Sequence, residues 1–136
     1  MQTISKLTDE ELVYAVAQEV MGWHIVPAVE YEYLVTEYSR KVILPPQYFY
    51  GEKHVGSPEC WQPIKDANHR DMVVERIRTL GWTFRIWAYS YGEYRVHFGD
   101  DTAARRESCH AVSNNLGRAV CEAAIEAVRA AVRSED

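Results

Sequence analysis

No stretch of this chain stays apolar for anything near the roughly 20 residues that a membrane-spanning helix needs. The opening residues, Met1 to Lys6, also lack the apolar run of a secretion signal. Cysteine is scarce. Cys60, Cys109 and Cys121 make an odd number with no close pair, the pattern of a reducing compartment rather than of a disulfide scaffold. Positive charge is short as well: 15 Lys and Arg stand against 20 Asp and Glu, a net charge of −5. A polyanion-binding surface normally shows a basic excess. The basic spots Arg76/Arg78 and Arg105/Arg106 sit in an acidic whole, so nonspecific nucleic-acid binding is not expected. Neither Gly-x-Gly-x-x-Gly nor Gly-Lys-Ser/Thr occurs, which argues against the nucleotide enzymes built on those loops. The expectation is a soluble cytoplasmic protein with neither membrane nor nucleic acid among its partners.

Apolar residues are plentiful. They make up 47% of the chain against 26% charged, enough for a core and unlike a disordered composition. The length of 136 residues predicts a single domain over 1–136. Thr8 and Glu11 have the spacing of a capping box, and Gly22 is a natural stop, so a helix is expected over 8–21. A second helix starts at Asp66 or Asn68, carries the stripe Val73, Ile77 and Leu80, and ends at Gly81. A third is capped by Ser113 or Asn114 and runs to about Arg133. Its wide alanine-rich surface predicts close packing on a sheet.

Between the last two helices, 82–89 and 94–98 alternate around the turn Ser90–Glu93. Trp82, Phe84, Ile86 and Ala88 share one face of that hairpin, and Arg85, Trp87 and Tyr89 the other. Residues 24–60 read as a longer β-rich and loop insertion. Strands are expected at 29–35 and 41–44, an edge, bulge or loop at 47–50 after Pro45-Pro46, and a polar loop at 51–58. A second polar loop is expected at 102–113. The fold class is α+β: an antiparallel β-sheet with three packed helices, in the order α-β(one to three strands)-α-β-β-α. The predicted core is Val16, Val20, Val73, Ile77, Leu80, Phe84, Ile86, Val96, Phe98, Leu116, Val120 and Ala124.

Four groups of residues carry a family resemblance. Met21-Gly22-Trp23 ends the first helix, and Trp61-x-Pro63-x-x-Asp66 leads into the second. A hairpin Phe84-x-Ile86 … Tyr94-x-Val96-x-Phe98 follows, then Gly117-Arg118-Ala119-Val120-Cys121-Glu122-Ala123-Ala124. Over about residues 8–132 the chain resembles the small bacteriophage and prophage proteins of the phage ABA-sandwich domain family. Their closing helix commonly carries Arg-Ala-Ile-Cys-x-Ala-Ala-Leu; Val120 stands here for the Ile and Ile125 for the Leu. The resemblance implies an α/β/α sandwich-like fold and a phage or prophage origin. It implies no catalytic residue and no cofactor.

Reactive side chains are few. Cys109-His110 is the one adjacent thiol–imidazole pair, with Asp100 and Asp101 close in sequence. A nucleophilic cysteine needs a base and an orienting acid in space, and no family signature surrounds this pair, so a polar loop is the simpler reading. His54, Cys60, His69, His97, Cys109 and His110 are conceivable metal ligands, but none has Cys-x-x-Cys or His-x-x-x-His spacing. No metal is expected. Cys121 falls on the apolar side of its helix and reads as a small buried hydrophobe.

The tyrosine-rich band carries more information. Tyr31, Tyr33, Tyr38, Tyr48, Tyr50, Trp87, Tyr89, Tyr91 and Tyr94 are too many to be core, and such rings are enriched where proteins meet partners or flat ligands. Tyr48, Tyr50, Arg85, Trp87 and Tyr89 are the candidate binding residues. If helices cover both faces of the sheet, Trp87 and Tyr89 are simply core, and a three-layer arrangement favours that. The expected function is a non-enzymatic accessory protein binding a host protein or a small molecule, with counter-defence as its use. The alternatives are a small hydrolase or nucleotide-acting enzyme using His97, Cys109, His110 and the Asp100/Asp101 pair, and a virion or homo-oligomer assembly protein.

Overall fold

The computed structural model of the chain describes residues 4–35, 38–100 and 109–135. They form two compact units, one of residues 1–22 with 62–136 and the other of residues 23–61.

The first unit begins with a 3-10 turn, Ile4–Lys6, and then helix α1, Asp9–Ala15. Both hydrogen bonds of the capping box form: the Thr8 amide donates to Glu11 Oε1 at 3.0 Å and the Glu11 amide to Thr8 Oγ1 at 3.2 Å. The helix does not end at Ala15. It widens into a π turn, Val16–Val20, and stops at Gly22, whose φ of 72° is cheap only for glycine. Helix α2, Ala67–Thr79, is capped by the Asp66 carboxylate, which accepts from the amides of Asn68 and His69. Helix α3, Leu116–Glu135, is capped by Asn115, whose Oδ1 accepts from the Arg118 amide.

Strands β6, Trp82–Ala88, β7, Tyr94–Asp100, and β8, Cys109–Ser113, form an antiparallel sheet in the order β6-β7-β8. The third strand replaces the 109–113 end of the expected 102–113 loop, and residues 102–108 lie outside the described residues. Each face of β8 shows only one or two apolar residues among polar ones, too short a run for alternation to register. Helix α3 packs against β7 and β8 on one side and against α1, its π turn and α2 on the other. It is buried nearly all round, from Ala119 to Ile125 and again at Ala127 and Ala130.

Of the predicted core, Val16, Val20, Val73, Ile77, Val96, Phe98, Val120 and Ala124 are buried. Leu80 and Ile86 are corrections, 50% and 41% exposed. Helix α2 closes at Thr79, so Leu80 leaves the stripe. Strand β6 is an edge strand while α3 lies over β7 and β8, so the inner face of β6 loses cover toward its C-terminal end. For the same reason Phe84 is only half-buried; Leu116, at the first turn of α3, is half-buried too.

The second unit is all β. Strands β1, His24–Val26, β4, Gln47–Tyr50, and β5, Lys53–Gly56, form a sheet in the order β1-β4-β5, while β2, Val29–Val35, and β3, Tyr38–Leu44, pair only with each other. The register shifts between Tyr48 and Phe49 as β4 pairs with β5. The 47–50 segment is thus a bulged strand, and it is central rather than at an edge. Strand β5, Lys53–Gly56, replaces half of the polar loop expected at 51–58. Trp23, Tyr48 and Trp61 pack together here at tilted and edge-on angles, with centroids 4.8 to 6.4 Å apart, and all three are buried.

Candidate functional site

Alternation along β6 and β7 splits the three-stranded sheet into two unlike faces. The side under α3 carries Phe84, Ile86, Val96, Phe98 and Ala111. On the opposite side, Arg85, His97 and His110 stand in one cross-strand row, and Trp87, Arg95 and Val112 in the next. Arg85, Trp87, Arg95, His110 and Val112 are exposed, Trp87 and Val112 at 41% and 39%. Among the described residues this face is therefore open, and Trp87 is not core.

The hairpin end extends the face with rings. The chain turns through Tyr89 to Glu93, with the Tyr89 amide donating to the Glu93 carbonyl and the Gly92 amide to the Tyr89 carbonyl. Gly92 has a φ of 87°, which the tight turn requires. Tyr89 and Tyr91 stack at 5.3 Å with their planes 17° apart. The Arg95 guanidinium sits 5.9 Å from the Tyr89 ring centre, within cation–π range. Tyr91 donates its hydroxyl to Glu93 Oε2, and that bond holds the phenol above its usual titration range.

At the other end, His97 packs edge-on against Trp87, with centroids 6.2 Å apart. Its ring also reaches back over Gly99: a Cβ at Gly99 would stand 3.0 Å from His97 Cε1. His97 Nδ1 is buried without a hydrogen-bond partner. Burial first, then the charges of Arg85 and His110, holds the imidazole below its ordinary value.

Three of the other arginines pair with carboxylates, while Arg76 donates to the Val20 carbonyl and Arg70 Nε is buried without a hydrogen-bond partner. Arg78 pairs with Glu75 at 2.6 Å, Arg118 with Asp9 at 2.7 Å and Glu122 at 3.0 Å, and Arg129 with Glu19 at 2.9 Å. Among the described residues no carboxylate pairs with Arg85 or Arg95, and no acid occupies either cross-strand row.

The other candidates do not converge. Tyr48 is a correction: it is 1% exposed, a member of the aromatic core of residues 23–61, because bulged β4 lies between two partner strands. Tyr50, in the same unit, is 50% exposed. Cys109 is in register with Phe98 and His110 with His97, so these consecutive residues belong to opposite faces of the sheet. Asp101 lies outside the described residues, as do Arg105 and Arg106. His69 Nδ1 accepts the Gln62 amide at 2.9 Å, and Asp66 Oδ2 stands 3.9 Å from the same nitrogen. His54 packs on Phe49 and bonds Gln47. No three His, Cys, Asp or Glu side chains gather among the described residues. An open cleft of about 640 Å³ beside the start of β6 is lined by Val74, Arg78, Gly81, Trp82, Thr83 and Phe84, and it holds no acid–base pair.

Sequence reading missed Arg95, Tyr91 and His110 as members of the open face. Arg95 was legible from the alternation of 94–98; His110 was not, because its strand was not. A family model, the phage ABA sandwich domain, matches residues 14–125. The chain belongs to the phage ABA sandwich domain family. No curated protein matches it.

In this ABA sandwich domain the residues that carried the resemblance are structural. A Cβ on Gly117 would stand 2.1 Å from the Ile64 carbonyl oxygen, so α3 meets the segment after Pro63 backbone to backbone. Arg118 ties α3 to the N-terminal segment: it donates to the Leu7 carbonyl at 2.6 Å and to the carboxylates of Asp9 and Glu122. Burial pushes the Glu122 carboxyl up, against the opposing pull of Arg118. The Cys121 thiol is pushed up to about 12 by burial, which makes it an inert core group. No helix among the described residues is long and apolar enough to cross a membrane.

Proposed function

We propose that this ABA sandwich domain is a phage- or prophage-encoded accessory protein that acts by binding, in the cytoplasm of the host. Its target is a host protein or a small ligand, and interference with a host defence is its use. The observation that carries the reading is the open sheet face, where Arg85, Trp87 and Arg95 are exposed without carboxylate partners. Tyr, Trp and Arg anchors supply most of the energy of binding surfaces. The hydrolase reading draws less support, because the register separates Cys109 from His110.

The test is rescue of a phage deleted for this gene, scored as plating efficiency on its natural host. Wild-type protein and Cys109→Ala are expected to restore plating, while Arg85→Ala combined with Trp87→Ala is not, although it folds. Loss of rescue with folded Cys109→Ala would replace binding by catalysis. Loss of virion particles in the deletion, whatever the host, would replace it by assembly.

A further inference from the structure

The open face has a polarity that narrows its ligand. It presents two kinds of group in a fixed order: the row Arg85, His97, His110, then the row Trp87, Arg95, Val112, then the stacked pair Tyr89 and Tyr91 at the hairpin end. Cation-rich and ring-rich ends are therefore one row apart. Residues two apart on a strand are separated by about 6.7 Å, and neighbouring strands by about 4.8 Å. That step is comparable with the separation of base and phosphate within one nucleotide.

Charge points the same way. The chain carries a net charge of −5, yet both cross-strand rows lack an acid and hold two arginines without carboxylate partners among the described residues. A local positive field on an acidic body favours a small anion over a long polyanion, whose remaining phosphates would meet the acidic remainder. Arginine recognises phosphate through a planar fork of donors, and exposed Trp87 offers a flat face for stacking. His97 and His110 add ring donors beside Arg85.

We infer that the ligand of this face is a nucleoside phosphate, with its phosphates over Arg85 and His110 and its base against Trp87, in the row that also carries Arg95. This rests on the binding reading above and deepens it. Nothing on the face selects one base, so recognition is of the class rather than of adenine or guanine.

Calorimetric titration of the full chain tests it with four probes: ADP, adenosine, pyrophosphate and a long thymidine oligonucleotide. ADP is expected to bind. Adenosine and pyrophosphate, each lacking one half, are expected to bind about tenfold more weakly or worse, since stacking a single base is worth about that factor or more. Trp87→Ala should weaken ADP about tenfold and leave pyrophosphate unchanged, Trp87→Phe should retain ADP, and Arg85→Ala should weaken both. Equal binding of ADP and pyrophosphate would overturn the proposal in favour of a bare anion patch. Far tighter binding of the oligonucleotide would overturn it in favour of single-stranded nucleic acid. No ADP binding at millimolar concentration, or ADP binding indifferent to both substitutions, would also overturn it. If phage rescue is lost in the Arg85→Ala/Trp87→Ala protein while ADP never binds, the binding reading stands and only this ligand falls.

Discussion

Phe98 and His97 are neighbours in one strand, and their surroundings could hardly differ more. Phe98 is fully buried under α3, in contact with Phe84 across the sheet at 5.2 Å. His97 lies on the other side beside Arg85, Trp87 and His110. A single-residue step along β7 separates a dry aliphatic and aromatic layer from a wet cationic one. The difference teaches that the two faces answer to different constraints. The covered face is set by volume and close approach. The open face keeps groups that cost stability to hold together, namely two arginines without carboxylate partners and a crowded imidazole.

The largest test of that contrast is a pair of truncations. Phe98→Ala should cost about 3–5 kcal/mol, the range for a fully buried aromatic that leaves a cavity. Trp87→Ala, at 41% exposure, should cost about 1 kcal/mol or less despite the larger side chain. Denaturant midpoints at constant slope measure both. Equal costs would mean that the open face is covered in solution and that Trp87 is a core residue.

How much of this was legible in the sequence follows from the same physics. Helices showed because their caps and stripes are local: Thr8 with Glu11, Asp66, and the stops Gly22 and Gly81 each declare themselves within a few residues. The division of β6 and β7 into faces showed because period two is strict over seven residues. Strand β8 did not show, since its five residues give Cys109, Ala111 and Ser113 to one face and His110 and Val112 to the other, with no run of large apolar residues on either. Tyr48 misled because composition marks tyrosine as an interface residue. Only the packing of Trp23 and Trp61 against it, between segments far apart in sequence, makes it core. The candidate site was half legible: Arg85, Trp87, Arg95 and His97 follow from the alternation of the hairpin, while His110 required a strand that the sequence did not show.

A smaller effect sharpens the covered side. Gly117→Ala would place a methyl 2.1 Å from the Ile64 carbonyl oxygen and 2.6 Å from two further Ile64 backbone atoms. Backbone cannot rotate away as a side chain does. The expected cost is about 2–3 kcal/mol, typical of overpacking, and it must exceed the roughly 1 kcal/mol that alanine gains over glycine in a helix. A thermal melt reads the sign. A stabilised variant would show that α3 and the segment after Pro63 do not meet at backbone distance, and with that the seat of α3 on the sheet would have to change.

The smallest effect belongs to the open side and concerns a proton. His97 is held below its ordinary value of 6.5 by burial and by the charges of Arg85 and His110. A lowered folded value means that the unfolded chain takes up the proton first as pH falls. Stability from a neutral His97 is therefore complete above about pH 6.5 and is lost as the pH drops below it, until the folded form protonates as well. Glu122 works oppositely in acid, because its carboxyl is raised by burial and favours the folded state once protonated. Only the difference between wild type and His97→Gln isolates the imidazole: the two should melt alike at pH 8 and diverge toward pH 5, with wild type losing more. An NMR titration gives the direct reading. The His97 ring should titrate below 6.5, and Arg85→Ala should move its midpoint upward by removing one repelling charge. A midpoint at or above 6.5 would place His97 in open water or beside an anion, and the crowding of positive charge that sets this face apart from the covered one would not exist.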